Sequence, residues 1–407
     1  MATDVPQGDR EKVVSKLPLP LRQELKIRAA QLGVDIQDAV SQGITAWRGL
    51  ASTPPAVDTS GAESFSTWLP TGQREAFQAD CRARGVSYIQ GLAQAVRVWL
   101  EMHPSPGAHR PAIVRRIIVC NQKGGVGKTS VTAGLGEAFA EDADTLYPSR
   151  LTAGLRKDGA SYPIEEAVGA GLRVLLVDFD PQTHLTKQLG AEPLPLDSDS
   201  LSKHMAGEAK GKLEDLLVSV DDEHFGGRLH LLPGCQDGFL LDVRLSATRA
   251  REAALERALE PVEGDYDVVV VDCPPSLGLS MDAAVYYGRR REGEEPGASG
   301  ILIVVQAEDS SADAYDLLTT QIEDLREDMK IGMDYLGIVV NLYDARRGYI
   351  ATSSLEQWRA IGDPRVVAVV PDLKEQKEAV RTKTPLLSYE PRCEQAYAYR
   401  GLAREVR

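Results

Sequence analysis

The amino-acid sequence predicts an α/β fold, a doubly wound and mostly parallel sheet, preceded by a small duplicated β-α-α module. Three observations carry that expectation. Six short, continuous apolar runs recur between residues 115 and 371, separated by stretches of helical spacing. A glycine- and lysine-rich turn, Lys123–Ser130, directly follows the first of these runs. Residues 12–50 also repeat themselves at residues 64–102 without a gap.

The repeat comes first in the chain. Residues 1–11 read as a disordered tail, 12–50 as the first copy, 51–63 as a linker, 64–102 as the second copy and 103–112 as a second linker. Both joints are rich in Pro, Gly and Ser, which interrupt helix and strand alike. Moving the first copy by 52 places sets Leu17-Pro18 on Leu69-Pro70, Arg22 on Arg74, Leu25 on Phe77 and Gly33-Val34 on Gly85-Val86. Val40, Ile44 and Trp47 meet Leu92, Val96 and Trp99. Apolar positions stay matched while polar ones drift, the signature of a duplicated unit. Each copy has a short extended run ending at Leu-Pro, a first helix from about Leu21 or Gln73 to a Gly stop, and a second helix with Asp35 or Ser87 at its N-cap. This strand–helix–helix grammar resembles the ribbon-helix-helix family, whose paired strands enter the major groove of DNA as a two-stranded ribbon. With Leu17 and Leu69 inward, the outer face presents Lys12, Val14, Lys16, Ser64, Ser66 and Trp68. Lys12 and Lys16 are then candidate DNA contacts; a protein-docking or dimerisation role is the alternative.

From residue 113 to 407 the pattern becomes strand and helix in alternation. Arg116–Cys120, Arg173–Val177, Val268–Val271, Ile301–Val305, Leu336–Val340 and Val366–Val370 suit parallel strands buried on both faces. Leu240–Leu259 and Ala312–Glu327 read as helices between them. Glu141–Gly171 and Arg289–Ser299 read as inserts dispensable to the core. In such a sheet, ligands bind beyond the carboxyl ends of the strands.

Composition narrows the function. The chain has 407 residues, 43% hydrophobic and 26% charged, which suits two or three globular domains rather than disorder. No apolar run reaches the roughly 18 residues of a membrane span, and the N-terminus lacks a signal peptide's apolar core, so a cytoplasmic protein without membrane attachment is expected. Five scattered cysteines, with no C-x-x-C, encode neither a disulfide framework nor a metal cage. The net charge of −14 is concentrated in the middle: residues 111–340 carry 22 basic and 40 acidic side chains, against 12 and 11 before them and 12 and 9 after. That balance argues against general affinity for polyanions, and any nucleic-acid contact must be a local patch at one end.

The turn Lys123-Gly124-Gly125-Val126-Gly127-Lys128-Thr129-Ser130 sits between a strand and a helix. Its glycines let backbone N–H groups converge at a helix N-terminus, which is a cradle for phosphates. Lys128 would reach the β- and γ-phosphates and Thr129 would ligate Mg²⁺. The general P-loop pattern has Gly where Gln122 stands and does not call for Lys123.

That extra lysine makes residues 113–407 resemble the deviant Walker A ATPases of the ParA/MinD class. The resemblance implies ATP and Mg²⁺ as cofactors, ATP hydrolysis, and a nucleotide-sandwiched homodimer in which Lys123 reaches the partner's phosphates. It implies that Asp180, in Val177–Gln182, positions or activates the attacking water, and that Asp178 supports the magnesium shell. Asp272, before Cys273-Pro274-Pro275, matches the carboxylate that holds Mg²⁺ through water. Asn341 matches an adenine-contacting asparagine and Pro371 falls where the base is flanked. Within the class, the stretch AYAYRGLAREVR has too little apolar face for a membrane-anchoring helix to be expected, and neither paired cluster cysteines nor a membrane segment beside Tyr389, Tyr397 and Tyr399 is expected. The stretches PPSLG, NLYDAR and AYAYRGLAREV look like the DNA-partitioning branch. That branch implies nonspecific DNA as a partner, nucleoid association, and a centromere-binding adaptor of the ParB kind that stimulates hydrolysis. The cations available for DNA are Arg346, Arg347, Lys374, Lys377, Arg381, Lys383, Arg392 and Arg400. The N-terminal repeat adds operator DNA as a candidate ligand. A protein-cluster positioning ATPase, or a transcriptional regulator acting through the repeat, are the alternatives.

Overall fold

The computed structural model describes residues 10–105, 110–143, 145–149, 165–308 and 310–407. The expected tail up to residue 9, the middle of the second linker and the centre of the 141–171 insert lie outside the described residues. The chain divides into two compact units: the first runs up to the stretch between residues 105 and 110 and also takes in short pieces at 145–146 and 166–168, and the second holds the rest.

The first unit is β1 (Arg10–Pro18), α1 (Leu19–Gln31), α2 (Ile36–Gly49), β2 (Ala62–Pro70), α3 (Gln73–Ala83) and α4 (Tyr88–Met102). β1 and β2 pair antiparallel, with Val14 opposite Ser66. These two residues are equivalents in the internal repeat, so a pseudo-twofold axis passes between them. Deeper in the unit the same axis relates two hydrogen bonds: Trp47 Nε1 donates to Gln94 Oε1 at 3.1 Å, and Trp99 Nε1 donates to Gln42 Oε1 at 3.0 Å. The unit is therefore an isologous dimer written in one chain. Period-2 alternation turns Val13, Leu17, Phe65 and Leu69 inward, where they pack with Leu25, Ile44, Trp47, Phe77, Val96 and Trp99. Lys12, Val14, Lys16, Ser64, Ser66 and Trp68 are all exposed on the other face. Gly33 and Gly85 end α1 and α3 at φ +63° and +71°, a conformation glycine adopts without a Cβ penalty.

The two helix starts differ from expectation in one respect. Ser87 Oγ accepts from Gln90 N at 3.1 Å, but the Asp35 side chain makes no capping bond. The Asp35 carbonyl alone closes that turn, accepting from Asp38 N and Ala39 N at 2.9 Å, and the first-turn charge is the Asp38 carboxylate held by Arg10. Gln94 is the keystone of the pseudo-dimer, because its Nε2 also donates to the carbonyls of Pro54 (2.7 Å) and Pro55 (3.1 Å). Gln94→Ala strands a buried indole N–H, and we expect a loss of about 2 kcal/mol. Urea unfolding followed by tryptophan fluorescence checks this. Gln42→Ala costs less, since Gln42 is exposed.

The second unit holds an eight-stranded sheet. Its strands are β3 (Arg115–Cys120), β6 (Val174–Asp178), β7 (Val218–Ser219), β8 (Leu229–Leu232), β9 (Val268–Asp272), β10 (Gly300–Gln306), β11 (Tyr335–Tyr343) and β12 (Val366–Pro371). A separate two-stranded sheet pairs β4 (Leu146–Ser149) with β5 (Glu165–Val168). The order in the large sheet is β12-β11-β10-β3-β9-β6-β8-β7, and every pairing is parallel except β7 with β8. Successive strand residues enter opposite cores: Ile118 and Cys120 join one apolar cluster, Ile117 and Val119 the other. That two-sided burial explains the unbroken apolar runs.

The helices around the sheet are α5 (Lys128–Ala140), α6 (His184–Gln188), α7 (Leu201–Ala206), α8 (Asp222–Phe225), α9 (Leu241–Ser246), α10 (Ala254–Glu263), α11 (Leu279–Tyr287), α12 (Ser310–Met329), α13 (Tyr349–Ile361), α14 (Lys374–Thr382), α15 (Leu386–Tyr389) and α16 (Glu394–Glu405). The single helix expected over Leu240–Leu259 is broken. Ser246 Oγ and Thr248 Oγ1 bond back to the carbonyls of Val243 and Arg244, and Ala250 adopts φ +47° before α10 begins. Such local side-chain bonds compete with helix propagation. Nor is Arg289–Ser299 dispensable. Arg116, at the start of β3, is fully buried, and Glu294 from this loop pairs with it at 2.7 Å. Removing that carboxylate would leave an uncompensated buried charge.

Candidate active site at the strand ends

β3, β9 and β6 lie side by side, so the loop after the first and the terminal aspartates of the other two meet at one edge. Asp272 pairs with Val119 on one side and Asp178 on the other. The loop itself is braced from neighbouring strands. Asn121 Oδ1 accepts from Lys123 N at 3.0 Å while its Nδ2 donates to Val304 O at 2.6 Å. Gln306 Nε2 donates to Gly125 O at 3.3 Å. Gly127 has φ +84°, and a Cβ there would collide with Asn341 Nδ2. Gly124 and Gly125 are exposed at the crest, Val126 is buried beneath it, and Ser130 lies half-buried in the first turn of α5.

Lys128 is buried at the foot of the loop, its Nζ donating to Lys123 O at 3.3 Å. Burial lowers its pKa, and the neighbouring Asp272 carboxylate opposes that shift. Thr129 Oγ1 donates to Asp272 Oδ2 at 2.8 Å, and Thr132 Oγ1 reaches Asp272 Oδ1 at 3.3 Å. Asp272 is fully buried, and desolvation, followed by the charge of Asp178, raises its pKa. Asp178 is pushed up to about 6 by burial. Its Oδ2 accepts from Thr186 N (2.8 Å) and Thr186 Oγ1 (2.5 Å), whereas Oδ1 is buried with no hydrogen-bond partner among the described residues. Asp180 Oδ1 accepts from Gln182 N at 2.9 Å.

This donor set is hard and anionic: one hydroxyl and carboxylates around a buried lysine. It fits Mg²⁺ shared with phosphate oxygens, an ion that takes few protein ligands and keeps its waters. The orphaned Asp178 oxygen is the position such an ion's shell would satisfy. Among the described residues no group of three or more His, Cys, Asp or Glu side chains forms a metal cage, so phosphate would have to complete the coordination.

Comparison with known proteins accords with this geometry. Residues 117–147 match the model of the CobQ/CobB/MinD/ParA nucleotide binding domain, and residues 164–334 that of an AAA domain. The chromosome-partitioning ATPase Soj of Thermus thermophilus is 31% identical over 299 residues, which cover 72% of this chain and 96% of Soj. The chain belongs to the ParA/Soj family of ATPases. The sporulation initiation inhibitor protein Soj of Bacillus subtilis is 27% identical, covering 71% of this chain and 97% of that protein. The McdA–ATP complex from Cyanothece shares the fold, with a TM-score of 0.55 at 16% identity, covering 72% of this chain and 97% of McdA.

The remaining candidate residues of this ParA/Soj chain are placed unevenly. Asn341 is almost fully buried, and its Nδ2 donates to Val126 O at 2.9 Å, so it braces the phosphate loop. Pro371 ends β12, and its carbonyl accepts from Gln395 Nε2 at 3.0 Å. Arg346, Arg347, Lys374, Lys377, Arg381, Lys383 and Arg392 are exposed. Acidic neighbours engage most of them: Asp344 holds Arg346, Glu378 meets Lys374, Asp372 holds Lys377 and Glu192 meets Lys383. Arg381 and Arg392 have no ion pair among the described residues. Arg400 is a correction. It is 3% exposed and grips Glu141 through Nε (2.6 Å) and NH2 (2.7 Å), so it is part of the core and not a DNA contact.

Thr132 and Thr186 escaped the sequence reading. Thr186 ties the Asp178 carboxylate to Gly234 N, which donates to its Oγ1 at 2.8 Å. Only the fold brings Gly234 there, since no spacing in the sequence links it to Asp178.

Proposed function

We propose that this ParA/Soj-family ATPase partitions DNA through a nucleotide-gated dimer. The observation that supports it best is the convergence of Lys128, Thr129, Asp178, Asp180 and Asp272 at one edge of the sheet, beside a loop carrying the additional Lys123. Loop N–H groups and Lys128 bind and orient the triphosphate. Thr129 and Asp272, with Asp178 behind them, would hold Mg²⁺, which supplies charge neutralisation on the transferring phosphoryl group. Asp180 orients water and accepts its proton. Lys123 serves the phosphates of the second subunit, as an arginine finger does in other phosphoryl-transfer enzymes. Two subunits closed on ATP pair their C-terminal cations, and the dimer holds DNA through its phosphates until an adaptor of the ParB kind stimulates hydrolysis.

The N-terminal unit supports an added role in operator binding. Lys12 and Lys16 stand on an exposed ribbon face with no ion pair among the described residues, so their charge is available to phosphates. Substituting both should cut specific operator binding, and an unchanged footprint favours protein docking.

Asp180→Ala tests the cycle. Turnover should fall about a hundredfold, the usual contribution of a positioned proton acceptor, while the ATP-bound dimer stays on DNA. Hydrolysis assays and an ATP-chase dissociation measurement check this. Release at the wild-type rate counts against the assignment, as does DNA binding that ignores nucleotide and salt.

A further inference from the structure

Lys123 differs from the rest of the phosphate loop in where its side chain is held. Its Nζ lies 3.4 Å from Oε2 of Glu308, just beyond the end of β10. The same strand end braces the loop through Gln306, so Glu308 is carried on an element already locked to the site. The other carboxylate oxygen, Oε1, accepts from Arg347 NH1 at 3.3 Å. Arg347 lies 3.6 Å from Asp372, which holds Lys377 at 2.7 Å. A line of alternating charge thus leads from the phosphate loop to the C-terminal cations.

We propose that Glu308 is a positioning residue that keeps Lys123 in its own subunit and yields it when two subunits close on nucleotide. The proposal rests on the sandwich-dimer reading above. A lysine destined for a neighbour's phosphates needs a resting place that is close but weak. The pair is partly solvated, with Lys123 23% and Glu308 42% exposed. An ion pair this open shifts an equilibrium only about two- to fivefold, and a triphosphate readily outcompetes it. Glu308 is also not abandoned when Lys123 leaves, because Arg347 remains on its second oxygen. Arg347 therefore lowers the cost of release, and Glu308 and Arg347 have opposite effects on closure.

The test measures the protein concentration at which half the full-length chain is dimeric, by sedimentation with a slowly hydrolysed ATP analogue and again with ADP. In the analogue, Glu308→Gln should dimerise at about two- to fivefold lower concentration than wild type. Glu308→Asp should fall between them, and Arg347→Ala should need a higher concentration. In a Lys123→Ala background, Glu308→Gln should change nothing, because the effect passes through that one ammonium group. Identical midpoints for wild type and Glu308→Gln overturn the proposal. So does a shift in the same direction for Glu308→Gln and Arg347→Ala, or a Glu308→Gln effect that survives in the Lys123→Ala background. A wild-type chain that stays monomeric in the analogue overturns the sandwich reading itself, and the proposal with it.

Discussion

Replacing Lys128 with alanine should weaken nucleotide binding by about 10²- to 10³-fold, the range for removing a preorganised cation or donor from a phosphate site. Lys123→Ala should leave binding by the isolated chain within about twofold, yet abolish stimulated turnover. The two lysines are five residues apart, but their surroundings differ. Lys128 is 6% exposed beneath the loop, beside the carboxylates of Asp272 and Asp180. Lys128→Ala also removes a positive charge that the buried Asp272 relies on, so apo stability should change too. Lys123 sits at the rim, paired with the half-solvated carboxylate of Glu308. Equilibrium titration with a fluorescent ATP analogue, beside steady-state hydrolysis, separates the two roles. An equal loss of binding in both variants would contradict the division of labour.

Arg400→Ala should cost the second unit about 3–5 kcal/mol, the penalty for breaking a buried pair and leaving one charge uncompensated. Glu141 is wholly buried, and beyond Arg400 the imidazole of His224 lies 3.6 Å from it. The urea midpoint of the second unit reports the loss. The salt dependence of DNA binding by the folded fraction should not change, whereas loss of a phosphate contact would make it shallower. One turn earlier in α5, burial pushes the Glu137 carboxyl from its ordinary 4.5 up to about 7. The folded state therefore binds this proton more tightly than the unfolded chain. The stability it contributes is complete below about pH 4.5 and is lost as pH rises toward 7. Glu137→Gln should flatten that part of the stability–pH curve.

The parts of this molecule that the sequence announced are those governed by local rules. The runs at Arg116–Cys120 and Val268–Val271 announce strands because both faces are buried, and the glycines around Val126 announce a phosphate turn because only they permit its backbone. The internal repeat was legible for the same reason: Trp47 and Trp99 occupy equivalent core positions, and neither can drift without opening a cavity. What escaped depends on distant pairing. The four-residue β8 and the two-residue β7 are too short for periodicity to register, and only the sheet edge selects them. Arg400 looked like a surface cation because nothing near it in the chain reveals that Glu141 waits for it in the core. Glu294 looked expendable on the same grounds, although Arg116 depends on it.

The pseudo-twofold axis between Val14 and Ser66 sets the first unit apart from any clamp the second one forms. Tethered halves meet at an effective concentration on the order of millimolar, so this unit assembles as it folds and does not come apart on dilution. A clamp between separate chains, by contrast, responds to how many copies the cell holds. Covalent linkage also releases the halves from identity. A true homodimer must place the same residue on both sides of its axis, whereas here lysine stands at position 16 and tryptophan at its counterpart 68. The outer ribbon is thus a lopsided surface, able to distinguish the two ends of whatever it meets.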